Sequence, residues 1–162
     1  MVNIKAAEIP KLAASVLICL IASFVGSAAT MPSITTWYAS LIKPAWTPPN
    51  WLFGPVWTTL YILMGIAAFL VWREGLGRKE VKIALGIFGV QLILNVLWSI
   101  VFFAFKSTLG AFIIIVVLWI TILITIIAFY RISKPTGIIL IPYIAWVSIA
   151  SALNYAVYLL NI

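Results

Sequence analysis

Amide and aromatic side chains recur at helical spacing in three stretches of this 162-residue chain. Gln91 and Asn95 lie one turn apart, and Trp98 and Phe102 continue their face. Trp57 and Tyr61 share that spacing, with Met64 following. Pro142, Trp146, Ala150 and Asn154 are each four apart, with Leu153 adjoining. Residues three and four apart lie on one side of a helix. Turned toward one another, the three faces line a mostly apolar cavity with a few hydrogen-bonding groups, the usual make-up of a small-molecule site. The same amides also read as hydrogen-bonded glue between helices, and periodicity alone leaves both readings open. Other chemistry is thinly provided for. Glu8, Glu74 and Glu80 are the only acidic residues and His is absent. No carboxylate pair is available inside a bundle for acid–base work, and neither a His-based metal site nor a Ser-His-Asp triad can be built. The single Cys19 sits in an apolar run and reads as a small packing residue.

Positioning these residues requires elements that cross a membrane. The chain is 65% hydrophobic and 8% charged, and runs of about 20 apolar residues read as transmembrane helices. Five such runs predict helices over about 12–29, 55–72, 83–105, 109–130 and 137–160. The unbroken runs have no period-two polar face, so strands are not expected. The expected architecture is all-α: one integral membrane domain over 1–162, a bundle of five transmembrane helices. Pro142 predicts a bend in the last helix, and Pro135 blocks continuation of the fourth. Trp72, Trp119 and Tyr130 read as interfacial anchors or packing residues.

The first connector, 37–54, is long and rich in Trp and Pro. Prolines fix φ and withhold donors, so the segment is expected to hold a non-helical shape and to cover something as a lid. Run 12–29 has two readings. Lys5 and Lys11 precede an apolar core, and Ser27-Ala28-Ala29 resembles a cleavage site. Against that, Ser15, Cys19, Ser23 and Ser27 form a small-residue stripe suited to close packing of membrane helices.

Loop charge sets an orientation. Lys5, Lys11, Arg73, Arg78, Lys79, Lys82, Arg131 and Lys134 share one side, while only Lys43 and Lys106 lie on the other. This asymmetry predicts a cytoplasmic N-terminus in a plasma membrane; the rule does not transfer to an outer membrane. The basic residues are scattered among loops, so a nucleic-acid partner is not expected. Lys43 and Lys106 read as snorkelling cations or as partners for an anionic ligand group.

Three stretches carry a family resemblance: 37–49 with Trp37-Tyr38-Ala39-Ser40-Leu41 and Lys43-Pro44-Ala45-Trp46-Thr47-Pro48-Pro49, then Pro55-Val56-Trp57-Thr58-Thr59-Leu60-Tyr61, then Gln91 to Trp98 with Phe102-Phe103. Pro142-Tyr143-Ile144-Ala145-Trp146 and Ala150 to Tyr155 continue it in order. The chain resembles the translocator protein family, also known as the tryptophan-rich sensory protein, peripheral benzodiazepine receptor or TspO/MBR family. That resemblance implies a five-helix bundle, often a homodimer, with a pocket closed by the first connector. It implies porphyrins, haem-like tetrapyrroles, sterols or benzodiazepine-site drugs as ligands, with no cofactor required. It places the pocket on Tyr38, Trp46, Phe53, Gly54, Val56, Trp57, Asn95, Trp98, Trp146, Ala150 and Leu153; periodicity adds Tyr61 and Gln91. It marks Trp57 and Trp146 as candidates for light-dependent porphyrin breakdown. Two departures bear on ligands. The family's sterol motif wants a basic residue after Leu and Tyr, yet no Lys or Arg follows Leu153 and Tyr155. A position that is aromatic in animal members is Gly110, which implies an altered pocket wall.

Three functions follow as expectations. The first is a membrane receptor or carrier that binds tetrapyrroles for transport, sequestration or stress sensing. The second is a light-dependent porphyrin-degrading enzyme in which the pigment supplies the chemistry. The third is a structural or regulatory subunit with tightly packed faces and no cavity.

Overall fold

The computed structural model describes residues 5–162. After a 3-10 turn, Ala6–Glu8, the helices are α1 (Ile9–Ile34), α2 (Trp37–Ser40), α3 (Asn50–Trp72) and α4 (Lys79–Ser99), which runs into a π turn, Ile100–Ala104. α5 (Thr108–Ile132), α6 (Lys134–Ile139) and α7 (Ile141–Leu160) complete the chain. Every regular element among the described residues is helical. Among the described residues five spans are long and apolar enough to cross a membrane: Ala6–Ile34, Asn50–Trp72, Lys79–Ala104, Thr108–Ile132 and Lys134–Leu160.

The ends of the elements differ from expectation for identifiable reasons. α1 runs past 29 and includes Pro32. Thr30 Oγ1 and Thr36 Oγ1 donate to the carbonyls of Gly26 and Pro32, at 2.8 and 3.0 Å, bracketing the proline with added side-chain bonds. The connector is only partly non-helical, because Trp37–Ser40 forms one helical turn and Asn50 already belongs to α3. Pro135 does not merely block a helix. It sits at the start of α6, where its missing N–H costs nothing. The bend expected at Pro142 is a break at Leu140, with Pro142 in the first turn of α7. Gly75, at φ 103°, takes the left-handed conformation just after α3. Ser107 Oγ accepts from the Gly110 amide at 3.2 Å and caps α5.

α1 and α3 run antiparallel and are pinned together at the loop-charged end. Arg73 Nε meets Glu8 Oε1 at 3.3 Å. One stretch inward, a Cβ on Gly65 would lie 2.6 Å from Val16 Cα, so the two backbones touch. α5 packs against both α4 and α7, with Ile115, Leu118, Ile122 and Phe129 fully buried. α3 packs against α6 but makes little contact with α7.

Candidate functional site

Toward the connector end, α1 and α3 part and enclose a cavity of about 430 Å³. α3 supplies Phe53, Gly54, Trp57, Thr58 and Tyr61, and the C-terminal part of α4 with its π turn supplies Asn95, Trp98, Ser99 and Phe103. α1 supplies the small side chains Ser23, Gly26, Ser27 and Thr30 together with Met31 and Ile34, and Tyr38 lines it from α2. One wall is a continuous aromatic surface. The Trp57 ring lies 5.9 Å from Tyr61 and 6.3 Å from Trp98, and Trp98 lies 6.1 Å from Phe103, centroid to centroid. Tyr38 adds an edge contact to Phe102 and a tilted one to Phe103.

The π turn helps to set this wall. Phe105 N donates to Ile100 O and Ser107 N to Val101 O, which leaves the Phe103 carbonyl without a partner in its own helix. Ser33 Oγ of α1 donates to it at 2.8 Å. Such turns re-aim side chains and recur at functional sites.

Behind the aromatic wall runs a buried polar chain. Tyr61 Oη donates to Asn95 Oδ1 at 2.8 Å. Asn95 Nδ2 donates to Tyr143 Oη at 2.7 Å, and Tyr143 Oη donates to Gln91 Oε1 at 2.8 Å. Trp98 Nε1 donates to Asn154 Oδ1 at 3.0 Å, and Asn154 Nδ2 to Thr108 O at 2.8 Å. These bonds tie α3, α4, α5 and α7 together, so amide glue and cavity wall are both realised: Asn95 does both, while Gln91 and Asn154 only tie helices.

The TspO/MBR family model matches residues 15–160. This chain belongs to the TspO/MBR family. It is 47% identical over 155 residues to the tryptophan-rich protein TspO of Archaeoglobus fulgidus, covering 95% of this chain and 99% of the relative. It is 44% identical over 154 residues to the tryptophan-rich protein TspO of Chlorobaculum tepidum, covering 95% and 98%. Against the human translocator protein the identity is 39% over 137 residues, covering 83% and 80%. With its five apolar spans, this family member is an integral membrane protein.

The TspO/MBR positions marked in the sequence divide into groups. Tyr38, Phe53, Gly54, Trp57, Asn95 and Trp98 line the cavity, as does Tyr61. Gln91, Ala150 and Leu153 are buried in the packing between helices and do not reach it. Trp46 is 53% exposed and does not line the cavity; of the 37–54 connector, Tyr38, Asn50, Trp51, Phe53 and Gly54 do. Val56 and Trp146 face a separate cleft between α3 and α7. Trp57 and Trp146 therefore do not share one cavity. The reason is geometric: each four-residue step overshoots a turn by about 40°, so Pro142, Trp146, Ala150 and Asn154 spiral around α7. The face that enters the bundle is Tyr143, Val147, Ala150, Leu153, Asn154 and Val157.

Lys43 is not placed to meet a ligand carboxylate. Its Nζ donates to the carbonyls of Tyr38 and Leu41, at 2.7 and 2.9 Å, and lies 4.8 Å from the Tyr38 ring. It caps α2. Lys106 is exposed at the α4–α5 turn and lines no part of the cavity. Gly110 is also remote from it. A Cβ there would press to 2.8 Å on Ser107 Oγ, so that glycine serves the α5 cap. Trp119 lies midway along α5, and its Nε1 donates to Ser148 Oγ at 2.8 Å, which ties it to α7.

Sequence reasoning missed Tyr143 and the α1 wall. Tyr143 lies one residue from Pro142, outside the Pro142, Trp146, Ala150 and Asn154 row. The serine stripe on α1 was a usable signal, but only its first half, Ser15 and Cys19, is packing; Ser23 and Ser27 line the cavity.

Proposed function

We propose that this protein is a membrane receptor or carrier that binds porphyrins or related flat tetrapyrroles in the cavity between α1, α3 and α4. The observation that carries this reading is the aromatic wall of Trp57, Tyr61, Trp98 and Phe103 along one side of a cavity of about 430 Å³. Small-molecule sites span roughly 300–1,000 Å³ and combine apolar walls with a few polar groups. A flat macrocycle gains both area burial and ring stacking on such a wall. On α1 the wall is small-sided at Ser23, Gly26 and Ser27, with Met31 and Ile34 adding apolar surface near its C-terminal end. Among the described residues no charged side chain lines the cavity, so the ligand's carboxylates project from its mouth. A tightly packed, ligand-free subunit would lack such a space.

Joint action of Trp57 and Trp146 on one bound pigment finds no support in the arrangement, since they line different hollows. The loop charges support a cytoplasmic N-terminus in a plasma membrane, with the cavity mouth on the opposite side. A homodimer is proposed on the same family footing.

The test is a dark titration of the purified protein with protoporphyrin, followed by illumination. Saturable binding at one site per chain, reported by quenching of tryptophan fluorescence, is the expected result. Absence of saturation would remove the reading. Light-dependent formation of a defined open-chain product only in the presence of protein would replace it with the enzymatic one.

A further inference from the structure

A second hollow lies on the lipid-facing side of the bundle, where α3 keeps contact with α6 but parts from α7. Its walls are Pro55, Val56 and Leu63 of α3, and Pro142, Ala145 and Trp146 of α7. This cleft and the cavity lie on two sides of one aromatic pair. Phe53 lines the cavity, Trp146 lines the cleft, and their rings meet edge-on with centroids 5.7 Å apart.

Trp146 differs from Trp98 and Trp119 in what its indole N–H meets. Trp98 Nε1 is bonded to Asn154 and Trp119 Nε1 to Ser148. Trp146 Nε1 is buried and has no acceptor. A buried donor without a partner is costly, so the observed rotamer of Trp146 is held by packing alone. Rotation of that ring toward the cleft would relieve the orphaned N–H on any passing acceptor, and it would uncover Phe53. The cleft itself is open and apolar, with only Thr59 adding a hydroxyl, and that hydroxyl donates to Pro55 O at 2.9 Å. Nothing polar in it repels a ligand dissolved in the bilayer.

We propose that the α3–α7 cleft is a membrane-side entrance to the cavity, with Phe53 and Trp146 as its gate. The ligand class is a flat apolar molecule that partitions into lipid and carries a hydrogen-bond acceptor. This rests on the tetrapyrrole reading of the cavity and adds the route by which the ligand arrives. A gate lowers or raises the barrier in both directions, so it alters rates and leaves the equilibrium largely alone.

The experiment uses the full chain reconstituted in phosphatidylcholine vesicles, with protoporphyrin dimethyl ester added to the lipid and tryptophan quenching followed in time. Ala145→Phe fills the cleft from a position that does not line the cavity. It is expected to slow association at least tenfold while the dissociation constant stays within about threefold. Trp146→Ala removes half of the gate and is expected to speed association and dissociation together. Wild-type rates in both variants, with saturable wild-type binding, would overturn the entrance and leave the cavity reading standing. Absence of saturable binding by the wild type would overturn both.

Discussion

Tyr143→Phe is the substitution that most cleanly probes the polar chain behind the cavity. The ring of Tyr143 is 1% exposed, so removing the hydroxyl changes almost no packing. It removes two bonds: the one accepted from Asn95 Nδ2 at 2.7 Å and the one donated to Gln91 Oε1 at 2.8 Å. Interhelical hydrogen bonds in membranes are worth ~0.6 kcal/mol on average and up to ~1.7 kcal/mol. Two of them give an expected loss of ~1–3 kcal/mol. Tyr61→Phe removes only the bond to Asn95 Oδ1, so its loss should be about half as large, ~0.6–1.7 kcal/mol. The assay is reversible unfolding in mixed micelles, with each variant compared at the wild-type midpoint. A Tyr143→Phe protein within about 0.3 kcal/mol of wild type, or less affected than Tyr61→Phe, would refute the idea that Tyr143 joins the two amides. The double variant should fall short of the sum, since both phenols act on Asn95.

Four further outcomes follow from the packing. Gly65→Ala puts a Cβ 2.6 Å from Val16 Cα; overpacking of this kind costs ~1–3 kcal/mol, measurable as lowered thermal stability, and an unchanged melting temperature would contradict the close α1–α3 approach. Asn161 exchanges two bonds with the backbone of Ile42, at 3.0 and 2.9 Å, so Asn161→Ala should raise hydrogen exchange across 41–49 and leave α3 protected. Lys43→Met should weaken binding of protoporphyrin and of its dimethyl ester by the same factor, because Nζ serves α2 carbonyls; selective loss for the free acid would restore Lys43 as a ligand partner. Burial pushes the Tyr38 hydroxyl above its usual pKa, so it stays neutral to higher pH than a free tyrosine, and among the described residues no Asp, Glu, Lys or Arg lines the cavity. Binding of the uncharged ester should therefore be flat from about pH 5 to 9.

The five spans could be read from the sequence because lipid demands long uninterrupted apolar runs, and little else competes with that signal. The α3 and α4 faces were legible for a related reason. Trp57 with Tyr61, and Asn95 with Trp98, are separated by at most one turn, over which helical drift is small. On α7 the same reasoning was stretched over three steps of four residues, and the drift carried Trp146 off the face that holds Asn154. Tyr143 was hidden because a phenol's partners lie on other helices, Gln91 and Asn95 on α4, and one sequence does not show which faces meet. Lys43 was ambiguous for the opposite reason: its partners, the carbonyls of Tyr38 and Leu41, are local backbone and carry no side-chain signature. The contribution of α1 depends on where it diverges from α3, and that follows from the contact of Gly65 with Val16, not from the serine stripe.

The central claim is that the ligand occupies the cavity between α1, α3 and α4, and Gly54 offers the most direct test. It lines that cavity, and a Cβ built on it meets no atom within 4 Å. A side chain can therefore start there without a clash at its first carbon and extend into the space a ligand would fill, and replacing glycine within a helix does not weaken it. Gly54→Phe should leave helical content and thermal stability at wild-type values and should weaken dark protoporphyrin binding at least tenfold, about 1.4 kcal/mol. Wild-type affinity in the folded variant would contradict the account, because the ligand would then be bound somewhere else.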